Sequence, residues 1–244
     1  MKKLYLIFWV LLMVIPLLAN QRFIVGEIFT AITCPTCPPA RSALRTMADN
    51  KDNIPYLIPL IWQYDTNTSP NVHQRAAMYS VAGIPHARFG GTVRIVGSGG
   101  FGNHLQAYTS AYNEAVLIES PIDMNIHFLT DGNILTAIAN IEVLEDITTT
   151  NNRLIYILSY DWGADQAPGN YCGSVVRYHE EFYSLLSVGQ SGEFRHTFTL
   201  NPAWDIRRLN LVVMVQTFEG DRFIHQARMR AGEYQSVRRM VLMK

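Results

Sequence analysis

Residues 23–49 read FIVGEIFTAITCPTCPPARSALRTMAD and contain two cysteines three positions apart, Cys34 and Cys37. The β-rich run Phe23 to Thr30 before them predicts a strand. After them, apolar residues recur at the spacing of one helix face, namely Ala40, Ala43, Leu44 and Met47. The two prolines that follow Cys37 suit the first turn of that helix, where a missing N–H costs no hydrogen bond. The pair therefore lies at a predicted strand–helix junction, a position typical of a redox-active Cys-x-x-Cys site.

The chain from there to about residue 119 alternates predicted strands and helices. A second strand is predicted over Ile54 to Trp62, at a sheet edge, because Pro55 and Pro59 cannot donate to a ladder. A helix is predicted from Ser69-Pro70 onward, with the serine as N-cap and the proline at N1. Two short strands flank Gly90-Gly91 as a predicted hairpin. The last helix has one apolar stripe, formed by Phe101, Leu105, Tyr108, Tyr112 and Val116.

This order, β-α-β-α-β-β-α, resembles the minimal form of the thioredoxin superfamily over residues 21–119. The features that carry the resemblance are the Cys34-Pro35-Thr36-Cys37 pair at a helix start, Gly83-Ile84-Pro85, and the Gly90-Gly91 hairpin. The resemblance implies that Pro85, preceded by Ile84, is a cis-proline packed against the cysteines.

The stretch from Glu27 to Pro38, EIFTAITCPTCP, is similar to the site of the twenty-eight-kilodalton outer membrane protein family. Val175-Val176-Arg177 and Gln226-Ala227-Arg228 are also similar to that family. Its members couple a thioredoxin-like domain to a C-terminal β domain. The resemblance implies the same two-part organisation here.

Thiol–disulfide exchange requires a thiolate, and the N-terminus of a helix favours the charged form of a cysteine. Cys34 is therefore the predicted nucleophile, and Cys37, one turn later, the predicted resolving thiol. Three prolines around the pair lack N–H groups, so Thr36 and Cys37 supply the main donors and weak thiolate stabilisation is expected. The alternatives are an inert structural disulfide or a metal site, although zinc would need two further ligands that the sequence does not offer nearby.

Three other residues have two interpretations each. Glu27 either relays protons to Cys37 from beneath the pair or, as favoured here, is a satisfied or exposed strand-end carboxylate, because buried glutamate is uncommon. His86 follows Pro85 and either tunes Cys34 or is a loop histidine without a role. Cys172, the third cysteine, is most simply a free thiol, and the alternative is exchange with the Cys34 site.

Residues 120–235 are predicted to form an all-β antiparallel sandwich, followed by a C-terminal tail over residues 236–244. Apolar and polar residues alternate from Ile122, a hairpin turn follows at Thr130-Asp131-Gly132-Asn133, and later strands are predicted at 154–160, 194–200, 209–216 and 223–227. Aromatic residues are dense around the loop from Trp162 to Gly173, and core packing is favoured over a ligand surface. They are Tyr160, Trp162, Tyr171, Tyr178 and Tyr183.

Residues 1–20 have the layout of a secretory signal peptide, with Lys2 and Lys3 before an apolar run from Leu4 to Ala19. Export to the periplasm, the outer membrane or the medium is therefore expected, where disulfides persist. Lys plus Arg and Asp plus Glu both number 20, so no net charge attracts nucleic acid. Gly97-Ser98-Gly99-Gly100-Phe101-Gly102 matches a dinucleotide motif in letters only, because a following parallel strand is not predicted. No cofactor and no metal are predicted.

The sequence predicts two functions of different class. The first is an exported thiol–disulfide oxidoreductase that acts on protein thiols or disulfides of the cell envelope through Cys34 and Cys37. The second is a non-catalytic binding or structural protein, peripherally associated with the outer membrane, on a thioredoxin-like scaffold.

Overall fold

The computed structural model describes residues 20–65, 69–163 and 172–232. Residues 1–19 of the predicted leader, the predicted C-terminal tail and Tyr171 lie outside these ranges. Within them, no helix is both long enough and apolar enough to cross a membrane.

The first half of the chain is a mixed α/β unit with helices on both faces of its sheet. Its elements are β1 (Ile24–Thr30), α1 (Pro38–Asp49), β2 (Leu57–Gln63), α2 (Val72–Met78), β3 (His86–Phe89), β4 (Val93–Val96) and α3 (Phe101–Ala115). The strands lie in the order β2-β1-β3-β4, with β1 and β2 parallel and the other two pairs antiparallel. Because successive side chains of a strand point to opposite faces, Ile24 and Ile28 pack towards α1 and α3, whereas Val25 and Phe29 pack towards α2.

The second half is a sandwich of two sheets. Its strands are β5 (Ile122–Asp131), β6 (Ile134–Val143), β7 (Asn152–Tyr160), β8 (Ser174–Phe182), β9 (Ser191–Thr199), β10 (Leu209–Thr217) and β11 (Ile224–Ala231), and a 3-10 turn lies at Ile206–Arg208. The sheet β5-β6-β9 packs against β7, β8 and β10 of the other sheet over a buried apolar core. The alternation predicted from Ile122 onward places Ile122, Met124 and Ile126 in this core, and Phe128 packs against it.

One eight-stranded sheet runs through both halves, in the order β11-β10-β7-β8-β2-β1-β3-β4. The prediction that the second strand lies at a sheet edge is therefore wrong, because β8 lies beside it. The junction is short: Ile61 pairs with Ser174, and the Ile61 N–H donates to the Gly173 carbonyl at 2.9 Å. The Pro59 nitrogen faces the same side as the Ile61 nitrogen and has no hydrogen to donate, which limits the pairing.

The sheet also curves so that β11 returns to the start of β1. The Ile224 N–H donates to the Gly90 carbonyl at 3.1 Å, and the Gln226 side chain accepts from the Phe23 N–H at 3.1 Å. The buried guanidinium of Arg22 donates to the carbonyls of Ile224 and Ala115. These contacts enclose a second core between β1, β2, α2 and the strands β7, β10 and β11. The two halves thus share both a sheet and a core.

Two local predictions are wrong, and one strand was not predicted. Ser69 does not cap α2, because its hydroxyl accepts from the Gln63 N–H and donates to the Val175 carbonyl, both at 3.0 Å, and Asn71 is the N-cap instead. Phe101 stands at the start of α3 but is exposed rather than part of the buried stripe. Strand β8 was not predicted, because most of its side chains after Val176 are partly exposed and the two-residue alternation is lost.

Candidate functional site

Cys34 and Cys37 form a disulfide in the turn between β1 and α1, with their Cα atoms 5.5 Å apart. The Cys37 N–H lies 3.4 Å from the Cys34 carbonyl, and the Arg41 N–H donates to the Cys37 carbonyl at 3.1 Å. Cys37 is fully buried, whereas Cys34 is half-buried. The Thr36 hydroxyl lies 3.6 Å from the Cys34 sulfur, close enough to donate a weak hydrogen bond. Solvent therefore has better access to Cys34 than to Cys37.

The helix α1 begins at Pro38, where the two prolines predicted its first turn, so Cys34 precedes the helix instead of lying at its start. Cys37 is the N-cap of α1, with prolines in the first turn, and Cys34 lies three residues before it. The prolines remove N–H groups that would otherwise point out of the helix end. The helix end can therefore stabilise a Cys34 thiolate only through the intervening turn, and weak stabilisation stays a prediction.

Ile84 and Pro85 lie at the same end of the sheet as the disulfide. Their peptide bond is cis, Pro85 is buried, and its carbonyl accepts from the Gly97 N–H at 3.2 Å. The next residue, His86, pairs with Phe29, and β1 ends one residue beyond Phe29, where the cysteine turn begins.

Glu27 is a fully buried, fully occupied carboxylate. It accepts four hydrogen bonds: from Trp62 Nε1 at 2.9 Å, from Arg75 Nε and Nη2 at 2.8 Å each, and from the Tyr79 hydroxyl at 2.6 Å. Its side chain points to the α2 face, opposite α1, because its neighbour Ile28 faces α1. The carboxylate is thus satisfied by its partners, but it is fully buried, a position that the sequence reasoning had treated as uncommon for glutamate.

His86 is a buried strand residue and not a loop residue. Its ring packs edge-on against Phe29, with 6.1 Å between centroids, on the α2 face of the sheet. Neither ring nitrogen has a hydrogen-bond partner among the described residues. Burial, followed by the positive charges of Arg88 and Arg94, lowers the pKa of His86 to about 4. At neutral pH the ring is therefore uncharged and offers Cys34 no positive charge.

Two charged residues that the sequence did not single out hold the segment before Cys34. The Asp65 carboxylate accepts from the backbone N–H groups of Ile32 and Thr33, each at 2.8 Å, and from the Thr33 hydroxyl at 3.0 Å. Arg41 Nη1 donates to the Ala31 carbonyl at 3.3 Å. The sequence could have pointed to Asp65 through its position just after β2. Because β2 is parallel to β1, the carboxyl ends of these two strands lie at one edge of the sheet.

Cys172 is a buried free thiol, as the simpler interpretation of the sequence had it. It packs in the core under α1 and close to the charges of Arg45 and Asp49, which belong to the C-terminal half of that helix. The rise along a helix is about 1.5 Å per residue, so the end of α1 lies well over ~10 Å from Cys37. Burial raises the pKa of Cys172 to about 12. Direct exchange with the Cys34 site does not fit this position.

The aromatic residues of the second half pack into the fold. Tyr160 lies 4.5 Å from Trp162 and 6.1 Å from Trp204 between ring centroids, and it is buried. Tyr178 packs edge-on against Trp62 at 5.8 Å, and Tyr183 is buried in the sandwich core. These positions fit the predicted packing role.

No dinucleotide-type unit surrounds Gly97 to Gly102 in the structure. The strand before these glycines, β4, pairs antiparallel with β3, and the strand after α3 belongs to the other sheet. Within the described ranges, no group of three or more histidine, cysteine or acidic side chains has the arrangement of a metal site.

Comparison with known proteins supports the fold but not an activity. No family model and no curated protein matches the chain. The chain is similar in structure to HBP35 of Porphyromonas gingivalis, with a TM-score of 0.70 and 14% identity over 89% of this chain and 77% of that one. A protein of Agrobacterium tumefaciens aligns with a TM-score of 0.50 and 18% identity over 90% of this chain and 99% of that one. A domain of the outer membrane lipoprotein Omp28 from Porphyromonas gingivalis aligns over 48% of this chain and 92% of its own length, but the TM-score of 0.32, at 12% identity, carries no weight. The first two likenesses concern the fold alone.

Proposed function

We propose that this protein is an exported thiol–disulfide oxidoreductase with a thioredoxin-like first domain, in which Cys34 attacks and Cys37 resolves. One observation carries the proposal: the two bonded sulfurs differ in access to solvent, since Cys34 is half-buried and Cys37 is fully buried. In an exchange site, the outer sulfur meets the substrate and the inner one is protected until it is needed.

The arrangement of the first half supports the thioredoxin-like assignment. Strands β2-β1-β3-β4 carry α1 and α3 on one face and α2 on the other, and the cysteine turn joins β1 to α1. Pro85 begins the segment next to the end of β1 from which that turn emerges. The boundaries at residues 119 and 120 remain part of the proposal, because the eight-stranded sheet runs across them.

The reaction exchanges one disulfide for another. In the reduced protein, the Cys34 thiolate attacks a disulfide of the substrate, forms a mixed disulfide and releases one substrate thiolate, which takes up a proton. Cys37, after losing its proton, then attacks the Cys34 sulfur, closes the intramolecular disulfide and releases the second substrate thiolate. Two electrons pass from this protein to the substrate, and the reverse sequence oxidises a substrate dithiol.

The proposed cellular location depends on the predicted signal peptide. A signal peptide over residues 1–20 would deliver the chain to the cell envelope or the medium, where protein thiols and disulfides are available as substrates. Peripheral association with the outer membrane belongs to the same proposal.

A second function, a non-catalytic binding or structural role on the same scaffold, has one observation in its favour. The first half is built into a larger unit by the β2–β8 junction and by a shared core. Such integration suits a rigid structural or binding protein.

The Cys37→Ser variant of the full chain tests the proposal in the cell of origin. Without the resolving thiol, mixed disulfides at Cys34 should accumulate as reductant-sensitive adducts on non-reducing gels. The Cys34→Ser/Cys37→Ser double variant is the matched control and should accumulate none, while Cys172→Ala combined with Cys37→Ser should still trap. If the single variant traps nothing and the reduced wild type fails to reduce a model disulfide, the non-catalytic function replaces the proposal.

A further inference from the structure

The three residues before Cys34 are held from two sides by charged side chains. On the outer side, the Asp65 carboxylate takes both backbone N–H groups of Ile32 and Thr33 at 2.8 Å and the Thr33 hydroxyl at 3.0 Å. On the inner side, the fully buried Arg41 donates from Nη1 to the Ala31 carbonyl at 3.3 Å. Every residue of the segment from Ala31 to Thr33 therefore has a backbone polar group fixed by a charge.

The fold brings these two side chains to the segment. Strands β1 and β2 are parallel, so they end at the same edge of the sheet, where Asp65 follows the last residue of β2 by two positions. Arg41 lies one helical turn after Cys37 on the same side of α1, and its own N–H donates to the Cys37 carbonyl at 3.1 Å. Asp65 thus contacts the residue directly before Cys34, and Arg41 is tied to Cys37.

We propose that Asp65 and Arg41 are positioning residues that set the reactivity of Cys34 and the stability of the Cys34–Cys37 disulfide. This inference rests on the proposed function. By fixing the segment that leads to Cys34, they hold the two sulfurs close together in the reduced protein, and a high effective concentration of one thiol at the other favours the disulfide.

The two charges act on the Cys34 thiolate with opposite signs. Burial disfavours ionisation of Asp65, but the hydrogen bonds from Ile32 and Thr33 outweigh it, and the pKa of Asp65 is lowered. Asp65 therefore carries a negative charge at neutral pH, which disfavours a thiolate at Cys34, whereas the positive charge of Arg41 favours it. Neutralising Asp65 should therefore lower the pKa of Cys34, and neutralising Arg41 should raise it.

The central test is Asp65→Asn, with Asp52→Asn as the control. Asp52 is an exposed acid beyond the other end of α1, so its substitution removes the same charge away from the site. The pH dependence of Cys34 alkylation and the equilibrium with glutathione are measured on the full chain. For Asp65→Asn, the pKa of Cys34 should fall by roughly a few tenths of a unit, the size expected when one nearby charge is removed in a largely solvent-exposed setting. The dithiol–disulfide equilibrium should move about tenfold towards the dithiol, equivalent to ~30 mV.

Two further variants separate positioning from charge. Thr33→Val removes only the hydrogen bond from the Thr33 hydroxyl to Asp65. It should shift the dithiol–disulfide equilibrium by about twofold towards the dithiol, without changing the pKa of Cys34. Arg41→Gln should raise the pKa of Cys34, opposite in sign to Asp65→Asn, while moving the equilibrium towards the dithiol as well. A purely structural role would not produce pKa changes of opposite sign. If Arg41→Gln does not fold, the Asp65 and Thr33 variants still decide.

The inference is overturned if Asp65→Asn matches Asp52→Asn in both measurements. Its failure is distinguishable from failure of the proposed function, because alkylation of Cys34 requires no substrate protein. An unreactive wild type in the trapping experiment would refute the function and leave the alkylation profile as a test of positioning.

Discussion

Replacing Arg75 by methionine should cost the protein a large part of its stability. Arg75 is the only cation that donates to Glu27 among the described residues, and the side chains of both are almost wholly excluded from solvent, at 1% and 0% exposure. Burial by itself would lower the pKa of Arg75, but the charge of Glu27 outweighs that effect and raises it. Methionine keeps most of the length and apolar character of the side chain and removes the charge.

The expected loss follows from leaving one charge buried alone. In Arg75→Met, the Glu27 carboxylate would retain the hydrogen bonds from Trp62 and Tyr79 but would lose both bonds from the guanidinium. Breaking a buried pair by removing one partner typically costs about 3–5 kcal/mol. The Tyr79 hydroxyl also accepts from Gln216 Nε2 at 2.8 Å, so the disturbance should reach β10 in the sandwich.

Urea denaturation followed by fluorescence measures this free energy of unfolding. Arg45→Met is the matched control, because Arg45 pairs with Asp49 and Asp161 at the surface and such pairs contribute at most about 1 kcal/mol. The Glu27→Gln/Arg75→Met double variant should cost less than the sum of the two single changes, since it leaves no unpaired charge. A loss for Arg75→Met no larger than that for Arg45→Met would refute the reasoning that an unpaired, fully buried carboxylate at Glu27 strongly lowers the free energy of unfolding.

Three further predictions concern a pH dependence, a thiol and a glycine. The pKa of His86 is lowered from 6.5 to about 4 by burial, so as pH falls through that interval the unfolded chain takes up a proton that the native ring resists. Stability should therefore fall between pH 6.5 and 4, and urea midpoints should show a smaller fall for His86→Phe. Cys172 should react with a thiol reagent only at the rate of unfolding, because burial raises its pKa to about 12, and a fast reaction in native buffer would contradict its placement. Gly173 has φ +70° and a Cβ there would lie 2.1 Å from the Pro59 carbonyl oxygen, so Gly173→Ala should destabilise the β2–β8 junction far more than Gly220→Ala, at φ +58° with open space. Equal unfolding midpoints for the two alanine variants would count against that junction.

Local sequence signals were sufficient for most elements. The apolar period of three to four residues in Pro38–Asp49 and the alternation in β5 and β6 directly express which face is buried, and all three elements are present. The signals failed where long-range contacts replaced local ones. Ser69 bonds to Val175 across the sheet instead of capping α2, and the largely half-exposed β8 has no strong alternation.

Some features of the candidate site could likewise be predicted from local sequence, and others could not. The spacing of Cys34 and Cys37 after a strand was enough to locate the disulfide and to predict that it lies before a helix. Glu27 and His86 each had two interpretations, because the face of β1 or β3 on which a side chain lies depends on how the sheet is covered. Asp65 was missed because its partners, Ile32 and Thr33, are more than thirty positions away in the chain.

The sequence by itself determined the strand–turn–helix that carries the cysteines and the change to antiparallel strands after residue 120, because both follow from the periodicity of neighbouring residues. Only the tertiary structure decided that one sheet joins the halves, that Glu27 is neutralised by Arg75, and that Asp65 and Arg41 hold the approach to Cys34. The physical reason is that hydrogen bonds and ion pairs between distant residues depend on which strands become neighbours. No period within a short stretch of chain contains that information.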